Sequence, residues 1–113
     1  MKAKLFAFLA CLSPLSNAEI RPLQTGNDLL FNITEAKKGD NFASTYIKGY
    51  LRGVSDVQVI IGSLCPPDGV DMTQYTDIVE SYLQKNPLTR NESAVTLSII
   101  ALGQAFPCKK KPT

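Results

Sequence analysis

The sequence predicts an all-α fold of four helices, and three observations carry the prediction. Apolar residues recur at three- and four-residue intervals rather than in alternation, two segments open with paired capping residues, and no two apolar runs are joined by a hairpin turn. At 113 residues with 44% hydrophobic content, the chain holds one domain at most and has enough apolar material to fold.

The first helix starts at Thr25, with Asp28 three residues on as its capping partner, and runs through Leu29, Leu30 and Ile33. The polar segment Glu35 to Asp40, containing Lys37-Lys38-Gly39, is expected to be a loop. From about Asn41 to Leu64 comes the longest periodic stretch. Phe42, Tyr46, Tyr50, Val54, Val57 and Ile61 lie close to one stripe, read as the core face of a central helix, and Lys48, Arg52 and Asp56 lie off it. Cys65-Pro66-Pro67-Asp68-Gly69 then ends the helix, since two prolines and a glycine cannot continue it.

Asp71 caps the third helix with Gln74 at the reciprocal position, and Tyr75, Ile78, Val79, Tyr82 and Leu83 form its apolar face until Pro87 stops it. After a turn from Pro87 to Arg90, Asn91 is the expected cap of the last helix, and Glu92 suits the positive helix start. Val95, Ile99, Leu102 and Phe106 share one side of that helix, and Pro107 closes it. Gly49 and Gly53 lie four apart in the central helix, where each costs about 1 kcal/mol relative to alanine. A close approach should compensate, made either by another helix of the same subunit or by a second subunit in a dimer.

Residues 1–18 read as a cleavable export signal, with Lys2 and Lys4 ahead of an apolar stretch from Leu5 to Leu15 and small residues Ser16 and Ala18 before the cut. The apolar stretch is well short of the ~20 residues that span a bilayer, so no stable membrane insertion is expected after cleavage. The expected mature domain is residues 19–113, with ten basic and ten acidic side chains. Three of the basic ones are the tail Lys109-Lys110-Lys111, which leaves the body mildly acidic and argues against nucleic-acid binding. Two cysteines survive cleavage, Cys65 and Cys108, and an even count in a small exported chain predicts a disulfide between the last helix and the end of the central one.

Histidine is absent, which excludes Ser-His-Asp and Cys-His nucleophiles and imidazole-ligated zinc. Asp77 and Glu80 lie on the polar side of their helix, Asp68 and Asp71 sit in a loop too short for calcium, and no glycine-rich phosphate loop or metal-ligand cluster is present. The expectation is a non-enzyme with no cofactor and no metal.

Ordered motifs then become recognisable. Gly26-Asn27-x-Leu29-Leu30, Gly49-Tyr50-x-x-Gly53-Val54, Cys65-Pro66-Pro67 with Gly69-Val70, Gln74-x-x-Asp77-Ile78-Val79-x-x-Tyr82-Leu83 with Pro87 and Arg90, and Ala105-Phe106-Pro107-Cys108 together resemble the Tai family of type VI secretion amidase immunity proteins. The resemblance covers nearly all of the expected mature chain. It implies a periplasmic, all-helical, commonly dimeric protein that binds a peptidoglycan-cleaving amidase effector and blocks its active site. Many members carry a second cysteine pair, and the matching positions here are Ile33 and Ile47, which are expected to pack against each other.

Blocking a cleft needs a few anchors on an exposed connection between rigid helices. The candidates are Leu88, Arg90 and Glu92 in the turn Asn86 to Glu92, and Gln74, Asp77 and Glu80 on the preceding helix. For each residue alone the plainer role is local: Arg90 paired with a carboxylate, Leu88 covering core. The competing functional class is a periplasmic stress or chaperone-like helical protein that binds exposed apolar surface; a third reading is an immunity homologue without a cognate effector.

Overall fold

A computed structural model describes residues 22–109. The expected signal at residues 1–18 lies outside them. Four helices follow in order, α1 (Gly26–Lys37), α2 (Asn41–Ile60), α3 (Met72–Lys85) and α4 (Ala94–Ala105), with a single 3-10 turn at Pro87–Thr89 between the last two. No strand occurs among the described residues, and no helix there is long and apolar enough to cross a membrane.

Local chemistry sets most of the helix starts. The Thr25 hydroxyl accepts from the Asp28 amide while the Asp28 carboxylate accepts from the Thr25 amide at 3.0 Å, a reciprocal pair that satisfies two donors a helix start otherwise leaves open. Asp71 and Gln74 do the same for α3, at 2.9 Å in both directions. Asp40 caps α2 by accepting from the amides of Phe42 and Ala43. α1 continues to Lys37, into the segment expected to be a loop. α2 ends at Ile60, before the expected Leu64, because Gly62 turns into the left-handed region at φ 77°. The chain then reverses and sends Leu64 back into the core.

All four helices contribute to one core. Leu29 and Ile33 of α1, Ile47 and Leu51 of α2, Tyr75, Val79 and Leu83 of α3, and Ala94, Leu97, Ala101 and Leu102 of α4 are buried together with Leu64. Ile33 and Ile47, at the positions of the family's second cysteine pair, are fully buried members of this cluster on neighbouring helices. Each contributes about 1.5 to 3 kcal/mol if wholly removed from water.

The face of α2 differs from the sequence expectation. Its core side is Ala43, Ile47, Leu51, Ser55 and Gln58, whereas Phe42, Tyr46, Val57 and Ile61 of the expected core stripe are exposed and Tyr50 and Val54 half-buried. α4 is likewise rotated: Ala94, Leu97, Ser98, Ala101 and Leu102 face inward and Val95 and Ile99 outward. It begins after Ser93 rather than at an Asn91 cap, and Ser93 makes no side-chain capping bond.

Cys65 and Cys108 form the predicted disulfide, closing 43 residues of chain with the Cα atoms 4.9 Å apart. The Cys65 amide donates to the Phe106 carbonyl at 3.0 Å, and the Phe106 ring meets Tyr75 edge-on with centroids 5.9 Å apart. The bond therefore seats the end of α4 against both the α2 exit and α3.

Candidate functional site

The chain from Asn86 to Ser93 is a rigid turn. The Asn86 side-chain amide donates to the Tyr82 carbonyl at 2.8 Å and closes α3. Pro87 sets the first residue of the 3-10 turn, and the Thr89 amide and hydroxyl both donate to the Asn86 carbonyl.

The turn is then bolted to the start of α1. The first amides of any helix lack an internal acceptor. Here the Gly26 amide donates to the Glu92 carbonyl at 3.0 Å and the Asn27 amide to the Arg90 carbonyl at 2.9 Å. The Ala94 amide donates back to the Gln24 carbonyl, and Thr25 and Ser93 form an isolated antiparallel bridge. This approach requires glycine at position 26: a Cβ there would stand 2.4 Å from Leu97 Cδ1, 2.9 Å from the Arg90 carbonyl oxygen and 3.1 Å from Leu83 Cδ2. In the sequence, the signal of this approach is a glycine at the first helical position directly after a capping threonine.

Leu88, at the head of this turn, is 92% exposed and covers no core. A single exposed leucine is ordinary on its own; its mounting on a turn held from two sides distinguishes it. Arg90 is half-buried with its Nε enclosed and unpartnered, so the expected carboxylate pairing does not form at that atom. Glu92 is exposed beside it. The structure thus gathers Leu88, Arg90 and Glu92 on one turn.

Gln74, Asp77 and Glu80 lie elsewhere, on the first three turns of α3 and ahead of the turn that follows its end. Gln74 is spent on the α3 capping box. Asp77 and Glu80 both receive the Lys37 ammonium from the end of α1, Asp77 at 3.0 Å. The hydrogen bond to Glu80, then that to Asp77, raises the Lys37 pKa above its ordinary value.

A second feature runs the length of α2. Phe42, Tyr46, Gly49, Gly53, Val57 and Ile61 form an exposed face free of charge over five helical turns, with Ile61 70% and Phe42 63% exposed. A Cβ added at Gly49 or Gly53 would meet nothing within 4 Å, so among the described residues no other helix packs on them. Of the two close approaches expected from the sequence, the one by another helix of the same subunit is not made among the described residues. Toward α4 the face deepens into a groove of about 260 Å³ lined by Gly53, Val54, Val57, Gln58, Val95 and Ile99 among others. Gln58 is buried there; its Nε2 donates to the Ile99 carbonyl at 3.2 Å, and its Oε1 has no partner. Burial pushes the Tyr50 phenol up, and the neighbouring Tyr46 adds to the shift.

Among the described residues no group of three or more cysteines and carboxylates is placed to hold a metal ion. Two features stand out among the described residues: a mounted turn at one end and an apolar helix face on the side. Comparison with curated proteins and with solved structures gives no match. Comparison with family models gives a match to the Rap1a immunity proteins over residues 25–108, which begins at the Thr25 cap, ends at Cys108 and takes in all four helices. The chain therefore belongs to the Rap1a immunity protein family.

Proposed function

We propose that this chain is a periplasmic immunity protein of a type VI secretion system, which neutralises a peptidoglycan amidase effector by seating the Leu88 turn in its catalytic cleft. Family membership supports an immunity role, and the resemblance to the Tai proteins supports an amidase as the target. The observation that carries the reading is the turn itself. Binding is costly where a loop must be ordered on contact, and a turn already held by the Gly26 and Asn27 amides avoids that cost. Leu88 supplies an apolar anchor, with Arg90 and Glu92 as the polar contacts around it. Gln74, Asp77 and Glu80 are left out of the proposed contact, since each already has a partner within the chain.

We also propose that two copies pair through the α2 face around Gly49 and Gly53. Two glycines facing open space within a charge-free apolar strip are what a closely approaching second helix requires.

The test is co-expression in the periplasm with a candidate amidase, scoring rescue from lysis. Wild-type protein should rescue. Leu88→Asp should lose binding by about 30-fold or more, the range of a central anchor, with its melt unchanged. Full protection by Leu88→Asp would remove the turn from the mechanism; lysis despite wild-type protein, across candidate amidases, would remove the target class.

A further inference from the structure

Tyr75 is only 5% exposed, and its ring is set edge-on against Phe106. Phenylalanine would make the same packing, yet this side chain ends in a hydroxyl with no hydrogen-bond partner among the described residues. Of the unpartnered atoms on buried and half-buried side chains there, only Gln58 Oε1 and Arg90 Nε are sealed from solvent. The Tyr75 hydroxyl is therefore open. What it opens on is a cavity of about 200 Å³ between α2 and the start of α3, walled by Arg52, Asp56, Val59, Val70 and Met72 among others. A cavity of about 150 Å³ accepts a benzene ring, so there is room for a ligand of several heavy atoms.

The polar wall is an ion pair with capacity to spare. Arg52 Nε donates to both Asp56 carboxylate oxygens at 3.1 Å. The two Nη groups of Arg52 make no hydrogen bond among the described residues, and a guanidinium fork matches the two oxygens of a carboxylate. Asp56 keeps acceptor capacity for a cation. A lone anion in the cavity would also meet Asp56, and a lone cation would also meet Arg52. A ligand that presents both charges side by side pairs each of them. The polarity also has a direction: burial raises the Tyr75 pKa, and the Arg52 charge, which opposes that rise, acts on the hydroxyl more strongly than the Asp56 charge. The anionic end of a ligand is thus favoured at the hydroxyl, while Val59, Val70 and Met72 suit an apolar side chain.

We propose that this cavity is a binding site for an apolar α-amino acid in its zwitterionic form. The ligand carboxylate accepts from the Arg52 Nη groups and from the Tyr75 hydroxyl, the ligand ammonium donates to Asp56, and the ligand side chain lies on Val70 and Met72. The site is at the start of α3, whereas the Leu88 turn follows the end of that helix, so neither reading depends on the other.

The experiment is isothermal titration of the wild-type chain with leucine, N-acetylleucine and leucinamide, repeated on Tyr75→Phe and Arg52→Gln. Acetylation removes the cationic end and amidation the anionic end, with the side chain unchanged. Tyr75→Phe removes only an oxygen without a partner in the described chain, so its melt should match wild type. Leucine should bind the wild type, and the loss of either charge or of either protein group should weaken binding by about tenfold or more. No binding of leucine at about tens of millimolar would overturn the site. Either analogue binding as tightly as leucine would overturn the recognition of both charges, and full affinity in Tyr75→Phe would overturn the placement of the ligand at the hydroxyl.

Discussion

Replacing Gly26 by alanine isolates the mounting of the turn. The new Cβ would lie 2.4 Å from Leu97 Cδ1 and 2.9 Å from the Arg90 carbonyl oxygen. Leu97 is fully buried, and the carbonyl is main chain that already accepts from Asn27 at 2.9 Å. Two responses are open. Repacking Leu97 and Leu83 costs about 1 to 3 kcal/mol, the range for an extra methyl in a filled core. Moving α1 away from the turn stretches the bonds from Gly26 to Glu92 and from Asn27 to Arg90, each worth about 0.5 to 1.5 kcal/mol. Alanine's smaller loss of chain entropy returns roughly 0.4 to 1 kcal/mol. The net is a destabilisation of about 2 kcal/mol, or a fall in Tm on the order of 10 °C for a domain of this size. Thermal unfolding measures the first quantity, and amide hydrogen exchange at Asn27 reports whether the turn has come loose. Protection against the effector should fall further than the melt alone explains. A Tm within about 2 °C of wild type, with Asn27 exchange unchanged, would refute the argument that glycine is required there.

The α2 glycines should respond in the opposite direction. Gly53→Ala meets no atom within 4 Å, so it should raise monomer stability by about 1 kcal/mol in denaturant unfolding while weakening self-association in sedimentation; destabilisation of the monomer would show a hidden contact. Reducing the Cys65–Cys108 bond reopens 43 residues of chain and should cost about 4 kcal/mol, read as a sharp fall in Tm with a mild thiol. Because Glu80 and Asp77 raise the Lys37 pKa above 10.5, their contribution is fully present below that value and is lost as pH climbs through the folded-state pKa. The stability gap between wild type and Lys37→Ala, under about 1 kcal/mol for so exposed a group, should hold from pH 7 to 9, then close in strong alkali and in high salt; a gap that survives molar salt would point to packing of the lysine stem instead.

What could be read from sequence was local. Thr25 with Asp28 and Asp71 with Gln74 are complete devices within four residues, so both helix starts were legible. Cysteine parity was enough for the Cys65–Cys108 bond. The orientation of α2 was not legible, because the helix carries two stripes and the more apolar one faces outward. A stripe of Ala43, Ile47, Leu51, Ser55 and Gln58 looks like a poor core by composition and is a good one only against the neighbouring helices. α4 is nearly all apolar, so periodicity could not orient it, and Asn91 looked like a cap because the bridge between Thr25 and Ser93 spans residues far apart in sequence. Leu88 and Glu92 were legible as exposed loop residues, whereas the half-burial of Arg90 was not. The turn's mounting on Gly26 and Asn27 was not either, since it depends on a contact across more than sixty residues of chain.

The bonds that hold the turn against α1 run through main-chain carbonyls of Arg90 and Glu92, whose side chains take no part in them. Any L-residue supplies the same carbonyl. The tip can thus exchange its chemistry, one anchor for another, while the clamp beneath stays as it is, provided position 26 keeps glycine. If the proposed contact holds, an exposed tip on a fixed mount lets a lineage change residues 88 and 92 to meet a new toxin, and swapping them between relatives should transfer recognition without disturbing the fold.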